Sequence, residues 1–206
     1  MLLQEFVVEK VENKKAAGRW KLFAVLAVCA SPMIASYFTY YVIQPGAKNN
    51  YGTLLDPRNY PMPNLNLQSV DGKPSELTAL KGKWVMLQID EASCAETCQR
   101  KLLEMRQLRL VQGKEMDRIE RVWLISDQQP VAEQIKPGIA GTHLLRADKA
   151  TLEKWLPTDI AAGTSLYDHI YLIDPLGNLM MRFPKDADPN KVKKDLSRLL
   201  KASAIG

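Results

Sequence analysis

The sequence predicts an α/β domain carried on one N-terminal membrane helix. Three observations lead there: an uncharged run of 22 residues from Leu22 to Ile43, an alternation of apolar runs with amphipathic stretches beyond it, and two cysteines, Cys94 and Cys98, where one apolar run gives way to a helical stretch. Strands that alternate with helices build a sheet with helices packed on its faces. At 206 residues, 46% of them hydrophobic and 25% charged, the chain is globular and large enough for one domain plus attachments.

The uncharged run comes first. At about 1.5 Å per residue it reaches roughly 33 Å, enough for a hydrocarbon core of about 30 Å. Tyr37, Phe38, Tyr40 and Tyr41 gather at its C-terminal end, where an interfacial aromatic belt belongs. Five cations precede it, at Lys10, Lys14, Lys15, Arg19 and Lys21, and Lys48 alone follows closely. The positive-inside rule therefore keeps residues 1–21 as a cytoplasmic tail and exports the rest across a bacterial-type inner membrane into the periplasm. The span exceeds the length of a signal-peptide core, so an uncleaved anchor is expected. The formal charge of +5 is mild and scattered, which argues against nucleic acid as a partner. Cys29, inside the span, packs as a small hydrophobe.

Residues 44–63 carry several prolines and glycines and read as a linker, leaving 64–206 as the folded domain. Leu65–Val70 alternates and Asp71-Gly72 turns it into a hairpin. Pro74–Leu80 makes a helical turn. Trp84–Ile89 is nearly continuous in large apolar residues, as a strand covered on both faces is. The next helix carries Cys98, Leu102, Met105 and Leu108 at steps of four, three and three, and stops at Gly113. Strands at Arg121–Ser126 and His143–Ala147, a helix at Lys149–Leu156, and a hairpin of Tyr167–Ile173 with Leu179–Phe183 follow. A closing helix, Pro189–Ala202, turns Val192, Leu196, Leu199 and Leu200 inward. The order implies a mostly parallel sheet with an antiparallel hairpin at its edge. A mixed sheet flanked by helices, with a cysteine pair beyond the carboxyl end of a strand, is a thioredoxin-like architecture.

The cysteines are the chemical centre. A helix N-terminus offers unpaired N–H groups and a positive dipole end, both of which stabilise a thiolate. Spacing of four puts both sulfurs on one helical face, about 6 Å apart at Cα, within reach of a disulfide. Asp90 and Glu91 raise a neighbouring thiol's pKa, whereas Arg100 and Lys101 act the other way. Only two histidines exist, His143 and His169, and no nucleotide loop, zinc motif or hydrolase triad stands out.

The stretch Cys94-Ala-Glu-Thr-Cys98, with Asp168-His169-Ile-Tyr171-Leu-Ile-Asp174-Pro-Leu-Gly177, resembles the Sco/SenC proteins over residues 60–202. That resemblance implies a membrane-anchored thioredoxin fold serving cytochrome c oxidase assembly. It also implies copper as cofactor, held by Cys94, Cys98 and His169, and the copper-site subunit of the oxidase as partner. Two soft thiolates suit Cu(I), and an imidazole completes a three-coordinate site. The sequence departs from the family in having no proline beside the cysteines and only Ile170 between His169 and Tyr171. Two other uses of the residues remain open. One is a metal-free thiol–disulfide oxidoreductase with Cys94 as nucleophile and Cys98 as resolving thiol. The other is a scaffold whose cysteines are merely bridged.

Overall fold

The computed structural model describes residues 2–43, 50–157 and 162–205. The chain divides between residues 48 and 49 into two units. The first is a helix, α1, over Leu2–Phe38, which ends in a π-helical turn at Thr39–Ile43. Within it, Trp20–Val42 is long and apolar enough to cross a membrane. Pro32 lies inside the helix and cannot donate to the carbonyl of Val28, four residues earlier. The Ser31 hydroxyl donates to that carbonyl instead, at 2.9 Å, so the helix continues with the acceptor satisfied. Thr39 does the same for Ala35 at 2.7 Å, where the turn widens.

The second unit is an eight-stranded sheet. Its strands are β1 (Thr53–Leu54), β2 (Leu67–Ser69), β3 (Pro74–Ser75), β4 (Trp84–Asp90), β5 (Ile119–Ile125), β6 (His143–Arg146), β7 (Ile170–Ile173) and β8 (Leu179–Arg182). Across the sheet they run β1-β8-β7-β4-β5-β6-β2-β3. Only β4, β5 and β6 are mutually parallel. The remaining pairings are antiparallel, so the sheet is mixed and less parallel than the strand–helix alternation suggests. Short turns, not helical crossovers, join β2 to β3 and β7 to β8.

Helices cover both faces. α2 (Glu96–Leu110) and α4 (Pro189–Ala202) lie on one face, packing Leu102, Met105, Leu108, Val192 and Leu196 against Met86, Trp123 and Ile125. α3 (Lys149–Trp155) lies on the other, packing Leu152 and Trp155 with Val85, Leu87, Val122 and Tyr171. Successive strand residues face opposite ways, and β4 and β5 divide their side chains between these two cores accordingly. The short helices are capped as their sequences suggest. Asp148 accepts from the Thr151 N–H at 3.0 Å, and Asp188 accepts from the Asn190 N–H at 2.9 Å with Pro189 in the first turn.

The expected linker is where the structure differs most. Its residues 44–49 lie outside the described residues. From Tyr51 onward, however, the segment belongs to the sheet unit. β1 pairs with β8 at the edge, Pro61 bridges Asn178, and Met62 is buried. Asp195 on α4, itself buried, accepts from the N–H groups of Tyr51 and Gly52 at 2.7 and 2.9 Å. Proline and glycine punctuate this stretch because it turns repeatedly along the sheet edge. In the same way Pro74–Ser75 forms the edge strand β3, and the helical turn begins only at Leu77.

Candidate functional site

The site grows from the end of β4. Ser126 donates its N–H to the Asp90 carbonyl at 3.1 Å, and Asp127 accepts the Ala92 N–H on both carboxylate oxygens at 3.2 Å. These bonds stitch the loop after β4 to the loop after β5. The Cys94 N–H closes a turn onto the Glu91 carbonyl at 3.0 Å, with Cys94 at φ +41°, in the left-handed region. Such a residue costs about 1–2 kcal/mol unless its surroundings hold it there. The Gln99 side chain does so, donating to the Cys94 carbonyl at 2.9 Å.

Cys94 and Cys98 form a disulfide, with Cα atoms 5.1 Å apart. The separation is shorter than that of two residues on one helical face because Cys94 is not on the helix. α2 is capped by Ala95 and starts at Glu96, so Cys94 belongs to the turn and Cys98 to the first helical turn. Both residues are 0% exposed, within the apolar cluster that includes Ala92, Leu102, Ile135 and Ile139. The bond thus lies in one apolar cluster with residues of α2 and of the segment between β5 and β6.

One polar side chain reaches the sulfurs from the sheet beneath, and a second pairs at the end of β4. Gln88, fully buried on β4, donates from Nε2 to Cys98 Sγ at 3.4 Å. Lys101 is 11% exposed; its Nζ pairs with Asp90 Oδ2 at 3.3 Å and donates to the Tyr167 carbonyl. Burial pushes the Lys101 ammonium pKa down, with Asp90 opposing the shift. Sequence alone leaves the balance of charge around the cysteines open, and the structure shows how it is struck. The Asp90 carboxylate is compensated by Lys101, and Arg100 is drawn off to Asp186. One turn further along α2, burial raises the Glu104 carboxyl pKa.

His169 does not join the cysteines. Ile170 pairs with Gln88 across β7 and β4 and sits in the cluster that holds both sulfurs. His169, one residue earlier on extended backbone (φ −111°, ψ 152°), therefore faces the other way. Its ring lies edge-on to Tyr171, 6.1 Å between centroids, on the α3 face. Nδ1 lies 2.8 Å from the Phe183 carbonyl, which can only accept, so Nδ1 carries the proton. Nε2 is then the acceptor, 3.2 Å from the Thr164 hydroxyl. Burial lowers the His169 pKa and keeps the ring neutral. A ring committed at both nitrogens, across the sheet from two sulfurs bonded to each other, does not fit the copper ligand set that the resemblance implies. Among the described residues no three His, Cys, Asp or Glu side chains are grouped to hold a metal ion. His143 pairs with Glu120 at 3.1 Å on the surface.

A family model described as transmembrane-like, thioredoxin-like, C-terminal domain matches residues 84–203, more than half of the chain. The chain belongs to this family. The match begins at β4 and ends just past α4, so it takes in the cysteine turn, α2 and the His169 strand. No curated protein matches. Solved structures share the fold with this family member. A SCO1/SenC family lipoprotein from Bacillus anthracis is 20% identical, over 71% of this chain and 99% of that one, with a TM-score of 0.54. Copper-bound ScoI from Arabidopsis thaliana is 16% identical, over 74% of this chain and 99% of that one, with a TM-score of 0.53. A thiol:disulfide interchange protein from a Bacteroides species is 15% identical, over 71% and 91%, with a TM-score of 0.52. The Sco/SenC resemblance seen in the motifs is thus met at the level of the fold, and a thiol:disulfide interchange protein meets it equally well.

Proposed function

We propose that this chain is a membrane-anchored thiol–disulfide exchange protein that uses Cys94 and Cys98. The observation that carries the reading is the disulfide itself, set at the junction of β4 and α2 in a thioredoxin-like fold. In the exchange, a client thiolate attacks Cys94 Sγ and forms a mixed disulfide, and Cys98 leaves as a thiolate and takes up a proton. A second client thiol loses its proton and attacks the mixed disulfide, releasing the Cys94 thiolate. The client is oxidised by two electrons and the pair is reduced by two; run backwards, the same steps reduce a client disulfide. Cys94 is the point of attack because it lies in the turn, whereas Cys98 is held in the helix above Gln88.

The cationic flank before the span supports export of the domain to the far side of the membrane, where a disulfide persists. The client class that the Sco/SenC resemblance implies is the copper-site subunit of a cytochrome oxidase, whose thiols must be reduced before metal enters. Copper carriage by this chain is not part of the reading, because His169 faces the opposite core. The complete burial of both cysteines favours a second reading, a structural bridge in a scaffold for assembly partners.

Trapping separates the two. Cys98→Ser leaves Cys94 without its resolving partner, so membranes carrying it should accumulate a covalent adduct that vanishes on reduction, whereas Cys94→Ser should not. If neither variant traps a protein, and the native disulfide survives dithiol treatment until the domain unfolds, the bridge reading replaces exchange.

A further inference from the structure

Gln88 is out of place by the logic of its strand. Val85, Met86, Leu87 and Ile89 around it are apolar and buried, and β4 alternation sends Gln88 to the α2 face with Trp84 and Met86. Burying a primary amide there costs free energy unless its groups find partners. In the disulfide state the amide finds a poor one: Nε2 donates to Cys98 Sγ, while the buried Oε1 has no partner.

Reduction changes what the sulfur offers. A disulfide sulfur is a weak acceptor, a thiolate is a charged and stronger one, and a thiol has an S–H to donate. As a thiolate, Cys98 strengthens the existing N–H···S bond. As a thiol, its S–H is a donor that Oε1 can take once the amide turns over. The amide therefore interacts more favourably with the reduced sulfur in either protonation state. We propose that Gln88 is a positioning residue that raises the reduction potential of the Cys94–Cys98 pair through its amide contact with Cys98. This rests on reading the pair as redox-active and adds what sets its poise.

The test is a redox titration of the full-length chain in detergent against glutathione, with the reduced fraction counted by thiol alkylation and mass. Two glutathione molecules become one glutathione disulfide as the Cys94–Cys98 bond opens to two thiols, so electrons and protons balance. Gln88→Met keeps the length and removes the amide; Gln88→Leu is the second variant should packing of the first fail. The expected result is an equilibrium constant shifted about tenfold toward the disulfide, which is about 30 mV lower for a two-electron couple. Urea unfolding of both redox forms guards against a purely structural effect, which would weaken the two forms alike and leave the constant in place. A shift under twofold in both variants overturns the inference. If instead the shift appears but wild type never transfers its disulfide to a protein dithiol, the exchange function fails while the role of Gln88 stands.

Discussion

Replacing Asp195 by alanine should unfasten the start of the sheet unit from its last helix. The carboxylate accepts two backbone N–H bonds, at 2.7 Å from Tyr51 and 2.9 Å from Gly52, and is 2% exposed. A hydrogen bond to a charged group contributes about 1.5–3 kcal/mol. The half-buried Tyr51 N–H can turn to water when its partner goes, so its share is small, whereas the Gly52 N–H is buried and left unpaired. The expected loss is about 3 kcal/mol. Asp195→Asn keeps an acceptor oxygen and loses the charge, and should cost about 1 kcal/mol. The assay is urea unfolding of the full-length chain in detergent, followed by fluorescence of the buried Trp84, Trp123 and Trp155. A loss under 1 kcal/mol for Asp195→Ala, or equal losses for the two variants, would refute the reasoning.

The same assay checks three more expectations. Gly52→Ala puts a Cβ 2.6 Å from Met181 Sδ and 3.0 Å from Phe183 Cε1, so it should destabilise by about 1–3 kcal/mol through overpacking; a neutral result would mean that Met181 swings clear. Leu102→Ala empties a buried position in the cluster that holds both cysteines and should cost about 2–5 kcal/mol, with faster reduction of the disulfide as a second readout. His169 is held below its ordinary pKa of 6.5 by burial. Below that pH the unfolded chain takes up a proton that the folded ring resists, so stability is fully present above about pH 6.5 and lost as pH falls through the lower folded value. His169→Gln should flatten the curve between pH 7 and 5.5, and an unchanged slope would place the titration elsewhere.

Much of the fold was legible because its signals are local. The uncharged run, the apolar β4 and β5 and the amphipathic α4 each carry their own period, and the four buried residues of α2 are those its spacing picks out. What was hidden depends on partners far along the chain. Nothing between Tyr51 and Met62 reveals that its hydrogen bonds go to Asp195 and β8, so the segment reads as linker. The disulfide's burial was equally invisible, since its apolar cluster gathers residues as far apart along the chain as Met86, Ile135 and Phe183. Gln88 did carry a signal, as a polar residue inside an apolar strand. His169 carried one too. A single residue between it and Tyr171 puts both rings on one face, and Tyr171 belongs to the core away from the cysteines.

The covered disulfide has a consequence for selectivity among thiols. An attacking sulfur must approach along the S–S axis, and nothing reaches a bond that is 0% exposed until its cover lifts. If that opening costs about 3 kcal/mol, a small thiol reacts roughly 150-fold more slowly than with an open pair. A protein client is not bound by the same limit, because its contacts can stabilise the opened form and offset the opening. Burial would then act as a filter, sparing the pair from abundant free thiols and leaving it to partners large enough to open the apolar cluster around it.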